Sequence, residues 1–414
     1  MAISTDDRAA VAGGKPAKTK PFNKEKRYGE PELKQLTEAL EQGSLFFAHG
    51  KKVHGLEAAF AKVIGTKYAV ACSSGTAAIH GAMIAAGISP GDEVITAPIT
   101  DMGSIVPILW QGAIPVFADL DPRTYNMDPG SVEKCITPAT KAILLVHLAG
   151  NPCDMNAMKE IAARHNVMLI EDCAQAHGCL YEGKPVGSFG AMGCFSYNEF
   201  KHISCGDGGV ICTDDEKLYG RLRLSVDKCY NRSPTALDRS PTFLAANYRM
   251  TELQGGVAIA QLEKLPSIVE RRRKWCGELS QRLEGVAGID LPVVTHAGTT
   301  SWWFYLMRIN ESVMGAKTDE VAAALKAEGL PVAAHYIGKT IYEYPLMVNH
   351  SAFDHGAHPF AKREYKKGLC PNAEAILATC IMLPVNEAHD QQDLDETAHG
   401  IQRVARYFQS KRSA

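Results

Sequence analysis

Short apolar runs alternate with longer amphipathic stretches over the first half of the chain. "KYAVAC" (67–72), "DEVITA" (92–97), "AIPVFAD" (113–119), "KAILLVH" (141–147) and "NVMLIED" (166–172) are nearly continuous in apolar residues. Runs of this kind predict strands buried on both faces. Between them, "GTAAIHGAMIAAG" (75–87), residues 103–111 and "DMNAMKEIAARH" (154–165) have helical spacing. Strands separated by helices predict a mostly parallel sheet covered on both sides, an α/β architecture.

The pattern then changes. "MGCFSY" (192–197) and "GGVICTDD" (208–215) read as two strands close in sequence. A long helical stretch begins at Thr251, and Pro266 is expected to kink or break it. Beyond it the pattern predicts a strand near 302–309, a helix near 317–328, a short strand near 331–335 and a final helix near 390–408. This part reads as a smaller C-terminal α+β domain. The expected division is a mobile leader at 1–24, a large domain at 25–265 and a small domain at 266–414.

Composition narrows the classes. A length of 414 residues suits two domains rather than one small core. A net charge of −2 argues against a nucleic-acid binder, which needs a basic excess. No apolar run approaches the length of a bilayer span, and the N-terminus lacks the apolar core of a secretory signal. Twelve cysteines are scattered without a CxxC pair, as expected of free thiols in a cytoplasmic protein. No internal repeat stands out.

Three strand ends carry candidate chemistry. Ser74, Gly75 and Thr76 lie between the first strand and a helix, where hydroxyls and free N–H groups can cradle a phosphate. Simple N-capping by Ser74 or Thr76 would leave the same pattern. Glu171 and Asp172 end "NVMLIED", and a carboxylate at a buried strand end needs a partner. Cys173, His177 and Cys179 are close in sequence but lack a second ligand pair at zinc-like spacing, so no metal is expected. Lys201 would be an ordinary surface lysine were it not set between an apolar strand and "GDGG" (206–209). A lysine sheltered there, with a lowered pKa, can form a Schiff base. Amine, carboxylate and phosphate cradle are together the parts that a pyridoxal phosphate site requires.

The ordered motifs "SSGTAA" (73–78), "GDEVIT" (91–96), "PVFADLDPRTYNMDP" (115–129), "IEDCAQAHG" (170–178), "GSFGAMGCFSYNEFK" (187–201), "GDGG" (206–209), "NYRMTELQGG" (247–256) and "CPNAE" (370–374) resemble those of the DegT/DnrJ/EryC1/StrS family. These are pyridoxal phosphate-dependent aminotransferases of keto-sugars and keto-cyclitols with the aspartate aminotransferase (fold type I) architecture. The resemblance runs from about Arg27 to the last helix. It implies that Lys201 is the Schiff-base lysine and proton carrier, and that Asp172 pairs with the pyridinium nitrogen. It places Gln175 near the ring and its phenolic oxygen. Ser74, Gly75, Thr76 and Ser196 would hold the phosphate.

Asn247 would reach the phosphate in the neighbouring subunit, which makes a homodimer part of the site. The same residue also reads as a loop residue capping the helix that starts at Thr251. The implied partners are an amino-acid donor (glutamate, glutamine or alanine) and a polyhydroxylated keto acceptor.

Two features depart from the family pattern. An aromatic residue normally stacks on the ring where this chain has Asp101, followed by Met102. Asp101 cannot stack in that way, and is a candidate to touch a polar substrate. Arg249 is a second substrate candidate, and Trp302, Trp303, His335 and Tyr336 are further ones. The loop after Lys201 has four residues before Gly206, shorter than in many nucleotide-sugar members. This is similar to the scyllo-inosose aminotransferase and aminohydroxybenzoate synthase branch and points to a free cyclitol or sugar. The rival readings are a dehydratase, isomerase or racemase on the same scaffold, and a non-catalytic cofactor-binding regulator. The family's dehydratases replace the lysine that is present here.

Overall fold

The computed structural model describes residues 8–232 and 239–412, so positions 1–7 of the expected leader lie outside the described residues. A seven-stranded sheet forms the larger body. Its strands are β1 (Tyr68–Cys72), β2 (Glu93–Thr96), β3 (Ile114–Phe117), β4 (Thr140–Val146), β5 (Met168–Asp172), β8 (Met192–Ser196) and β9 (Gly209–Thr213). The hairpin β6 (Leu180–Tyr181) and β7 (Lys184–Pro185) interrupts that series.

The order across the sheet is β1-β9-β8-β5-β4-β2-β3. β2, β3, β4, β5 and β8 run parallel, and only β9 is antiparallel to its neighbours β1 and β8. The apolar runs are continuous because each face meets its own core. Val70, Val94, Leu144, Ile170 and Ile211 point into one cluster. Ala71, Ile95, Leu145, Leu169 and Val210 point into the other. The mostly parallel, doubly covered sheet expected from the sequence is present.

A second sheet, wholly antiparallel, has the order β10-β12-β14-β13, with β10 (Ile289–Asp290), β12 (Phe304–Ile309), β13 (Ala333–Ala334) and β14 (Cys380–Pro384). It packs with the helices Thr318–Ala327 and Gln391–Arg412 around its own core, which includes Leu279, Tyr305, Met307, Leu325 and Val404. This is the smaller α+β unit. β11 (Gly298–Thr299) pairs with β6 to extend the hairpin.

Pro266 does not break the long helix, which runs without interruption as Glu252–Leu283. Pro266 sits on the exposed side, between the buried Leu265 and Ile268. Apolar packing holds both flanks of the proline. The division expected at residue 265 falls inside this helix.

The expected leader also differs from a free segment from residue 8 onward. The backbone N–H groups of Ala10 and Ala17 both donate to the Glu328 carboxylate at 2.8 Å. Lys18 Nζ donates to Asp393 at 2.7 Å and Glu396 at 2.8 Å. Lys18 thus meets the acidic start of the last helix.

Candidate active site

The parallel strands set their carboxyl ends along one edge, and the candidate residues gather there, as ligands do in such sheets. β1 leads into Ser74, which caps the helix Gly75–Ala85 by accepting a hydrogen bond from Ala77 N at 3.0 Å. The capping role is thus real, and it leaves the first-turn N–H groups of Gly75 and Thr76 at the helix terminus. Gly75 is required by proximity: a Cβ there would lie 2.7 Å from Ser196 Cβ at the end of β8. Gly209 opens β9 opposite Ser196, and a Cβ on it would lie 2.3 Å from the Ser74 carbonyl oxygen. The two glycines let three chain segments meet around one concave backbone surface.

Asp172 ends β5 and is buried. Its Oδ2 accepts from Ser104 Oγ at 2.7 Å and its Oδ1 from Ala174 N at 3.0 Å. Burial pushes its pKa up, while these two hydrogen bonds and the charges of Lys201 and His147 oppose the rise. Ser104 was absent from the sequence reading. It lies one turn into the helix Met102–Trp110, and nothing in its local sequence separates it from any other helical serine.

Neighbouring Glu171 is a structural residue. It accepts from Gly187 N at 2.7 Å, Phe189 N at 2.8 Å and Gly190 N at 2.7 Å, and meets His147 Nε2 at 3.1 Å. His147, Glu171 and Cys173 are close enough to hold a metal ion. These hydrogen bonds already occupy Glu171, and His147 Nδ1 accepts from Cys153 N at 3.0 Å. His177, singled out in the sequence, turns its Nε2 to the Ser196 carbonyl at 2.8 Å.

Lys201 lies in the loop that carries β8 back into β9. Its Nζ sits 3.9 Å from the centroid of the Trp303 ring. Among the described residues it makes no salt bridge, and burial lowers its pKa against the pull of Asp172 and Asp101. Gln175 is buried nearby, its Oε1 accepting from Ala149 N at 2.8 Å. Ser196 is buried at the same strand end, its Oγ accepting from Asn198 N at 3.2 Å.

The two substrate candidates are engaged differently. Asp101 is exposed and caps the helix Met102–Trp110, accepting from Gly103 N at 2.7 Å. One of its oxygens is therefore committed to the backbone. The segment carrying Tyr336 and Tyr344 docks close by through Ile341 N and the Pro98 carbonyl at 3.0 Å. Arg249 donates to Asp227 at 2.6 Å, and that carboxylate also binds Arg232. Asn247 is exposed on the described surface, bridged through its backbone to Asp227.

Trp302 stacks on Tyr305 in the small core. His335 is held by the Leu377 carbonyl and Asp319, at 2.9 and 3.0 Å. Tyr336 packs on Phe304, and burial pushes its hydroxyl pKa up, opposed by a hydrogen bond with Gln175.

A sheet edge that joins a helix N-terminus, a buried carboxylate and a sheltered amine has the donor set for pyridoxal phosphate: N–H groups for the phosphate, an anion for the ring nitrogen, and an amine for the aldehyde. The residues fit that cofactor. A family model described as the DegT/DnrJ/EryC1/StrS aminotransferase family matches residues 26–402, and the chain belongs to this family of pyridoxal phosphate-dependent enzymes.

The chain is 32% identical over 389 residues to the spore coat polysaccharide biosynthesis protein SpsC of Bacillus subtilis, covering 91% of this chain and 95% of that protein. It is 39% identical over 282 residues to GDP-perosamine synthase of Caulobacter vibrioides, covering 68% and 75%. Among solved structures it is similar to DesV of S. venezuelae, with a TM-score of 0.79 and 31% identity over 91% of this chain and 94% of that one.

Proposed function

We propose that the protein transfers an amino group from glutamate, glutamine or alanine to a carbonyl of a keto-sugar or keto-cyclitol, with Lys201 as covalent anchor and proton carrier. The observation that carries this reading is the sheltered Lys201 amine on the same sheet edge as the buried Asp172 carboxylate. The polysaccharide and perosamine names of two relatives support a sugar acceptor.

When bound, pyridoxal phosphate supplies an electron-accepting ring that lets a proton leave the carbon bearing the donor's amine. Lys201 is the base that takes this proton and returns it to the cofactor carbon. Its burial favours the neutral amine that such a base needs. Asp172, held in place by Ser104 and Ala174, would pair with the ring nitrogen and keep it cationic. Ser74, Gly75, Thr76 and Ser196 would receive the phosphate at the helix terminus, and Gln175 would serve the phenolic oxygen. Asp101 and Arg249 belong to the substrate side of this reading, with Arg249 turned to it only if its pair with Asp227 opens.

The protein acts as a homodimer in which Asn247 reaches the phosphate of the neighbouring subunit. Its exposure supports this, as do the large exposed side chains of Phe200 (77%) and Leu244 (93%). We read the location as cytoplasmic, supported by twelve free cysteines. Among the described residues no helix is long and apolar enough to cross a membrane.

The test adds each candidate donor alone to the cofactor-loaded protein and follows the change from pyridoxal to pyridoxamine absorbance. Conversion by one donor in the native protein and none in Lys201→Ala supports the assignment. Full conversion by Lys201→Ala ends it.

A further inference from the structure

Trp303 is fixed to the catalytic loop by more than packing. Its indole N–H donates to the carbonyl of Phe200, the residue before Lys201, at 2.8 Å. Its amide N–H donates to Ala149 O at 2.9 Å, and its carbonyl accepts from Arg272 at 3.2 Å. Arg272 is itself buried and paired with Glu387 at 2.7 Å. The preceding Trp302 has φ +51°, a left-handed conformation that is costly for a large side chain. The chain thus holds strain at the point that sends one tryptophan into the small core and presents the next to Lys201.

We propose that the Trp303 ring face is the berth of the protonated Lys201 side chain whenever that amine is not bonded to the cofactor, which makes Trp303 a positioning residue. The inference rests on the transaminase reading for its purpose. In each half of such a cycle the lysine is released from the cofactor, carries a proton from one carbon to the other, and must stay within reach while it does so. A cation held 3.9 Å from an indole centroid is stabilised by the ring's negative face.

The other groups around Lys201 do not supply this. His177 and His202 are buried with lowered pKa values, so both are neutral near pH 7. The carboxylates of Asp172 and Asp101 attract the ammonium, yet neither forms a salt bridge with it among the described residues. Asp172 is engaged by Ser104, and Asp101 by its helix cap.

The experiment measures the titration of Lys201 itself. The full chain is loaded with pyridoxamine phosphate, which leaves the lysine free, and is labelled with trace acetic anhydride across a pH series. Mass spectrometry reads the extent at Lys201 in the native protein, Trp303→Phe, Trp303→Leu and Trp303→Met. Only variants that keep the native melting temperature are compared.

Loss of the ring removes stabilisation of the charged form, so Lys201 in the Leu or Met variant should titrate lower. At neutral pH it should label about 3- to 10-fold more, while Phe, which keeps a ring face, stays within about 3-fold of native. An unchanged profile overturns the proposal, as does an equal shift in Phe and Leu. An upward shift also overturns it, because that is the sign expected if Trp303 merely kept water away. Failure of every donor in the absorbance test would refute the transaminase reading without altering this labelling result.

Discussion

The hydroxyl of Ser104 donates to Asp172 Oδ2 at 2.7 Å in a fully enclosed setting, and accepts in turn from Thr100 Oγ1 at 2.7 Å. Because the Ser104 proton is committed to the carboxylate, Thr100 must be the donor of the second bond. The relay stabilises the ionised form of Asp172, which burial alone would disfavour. Removing it with Ser104→Ala should weaken pyridoxal phosphate binding about tenfold, the scale of a hydrogen bond to a buried charge. Thr100→Val should give a smaller loss of the same sign. Cofactor titration followed by fluorescence checks both, and equal affinity in all three proteins would remove the relay from the site.

The close approach at Gly75 predicts a second set of effects. In Gly75→Ala the new methyl would meet Ser196 Cβ at 2.7 Å, and in Gly209→Ala it would meet the Ser74 carbonyl at 2.3 Å. Neither neighbour is the free end of a flexible side chain, so strands or helix must shift. Both variants should lose cofactor affinity by more than about tenfold, since a 1 Å displacement of a phosphate cradle breaks several hydrogen bonds together. Gly220 serves as the control, lying mid-helix with open space at its Cβ position. Gly220→Ala should bind normally and gain up to about 1 kcal/mol of stability, measured by urea denaturation.

What the sequence revealed follows from physical locality. β1 through β5 were readable because both faces of each strand are buried, which leaves long apolar runs. The helix Gly75–Ala85 and its cap were readable because Ser74 and Gly75 sit at its start. β14 was missed because it directly follows the helix Pro371–Thr379, so that its apolar run reads on from the helix's own. Ser104 and the docking of Lys18 on Asp393 depend on residues 68 and 375 positions apart. No local period encodes such pairs. Pro266 does not break its helix, because packing on both sides of it holds the helix together.

Glu328 is the anchor of the N-terminal segment. It is buried, paired with Arg403, and accepts from the backbone of Ala10 and Ala17. Glu328→Ala would leave a buried guanidinium and two N–H groups without their acceptor. That should cost about 3–5 kcal/mol, as breaking one side of a buried ion pair does. Glu328→Gln should cost less, because it keeps an acceptor for the backbone. Equilibrium denaturation checks the order. Similar stability in all three would show that the segment contributes little to folding.

Acid sensitivity should come in part from His80. It is buried between the Tyr248 hydroxyl and the Gln111 amide, each at 2.8 Å, and burial pulls its pKa down to about 4. In the unfolded chain a histidine titrates near 6.5. Between those values the unfolded state binds the extra proton, so stability falls as pH drops from about 6.5 toward 4. The full effect is about 3 kcal/mol from this residue. His80→Gln should flatten the fall over that window, whatever it does to stability at pH 8. A denaturation series at each half unit of pH checks it, and an unchanged slope would assign the acid loss to other groups.

The proposed sharing of the site between subunits makes a prediction that depends on how two chains are paired. If Lys201 of one subunit works with Asn247 of its neighbour, Lys201→Ala and Asn247→Ala homodimers should each be nearly inactive. When the two proteins are mixed and allowed to exchange subunits, half of the dimers become mixed. Each mixed dimer has one site with both defects and one with neither. Activity should then recover to about a quarter of native, the statistical share of intact sites in a two-fold assembly. Were Lys201 and Asn247 of the same chain to serve one site, no mixed dimer could hold an intact site and mixing would restore nothing. Light scattering on the same samples establishes that the exchanging species is a dimer. The donor-only absorbance change then reads intact sites without needing the acceptor.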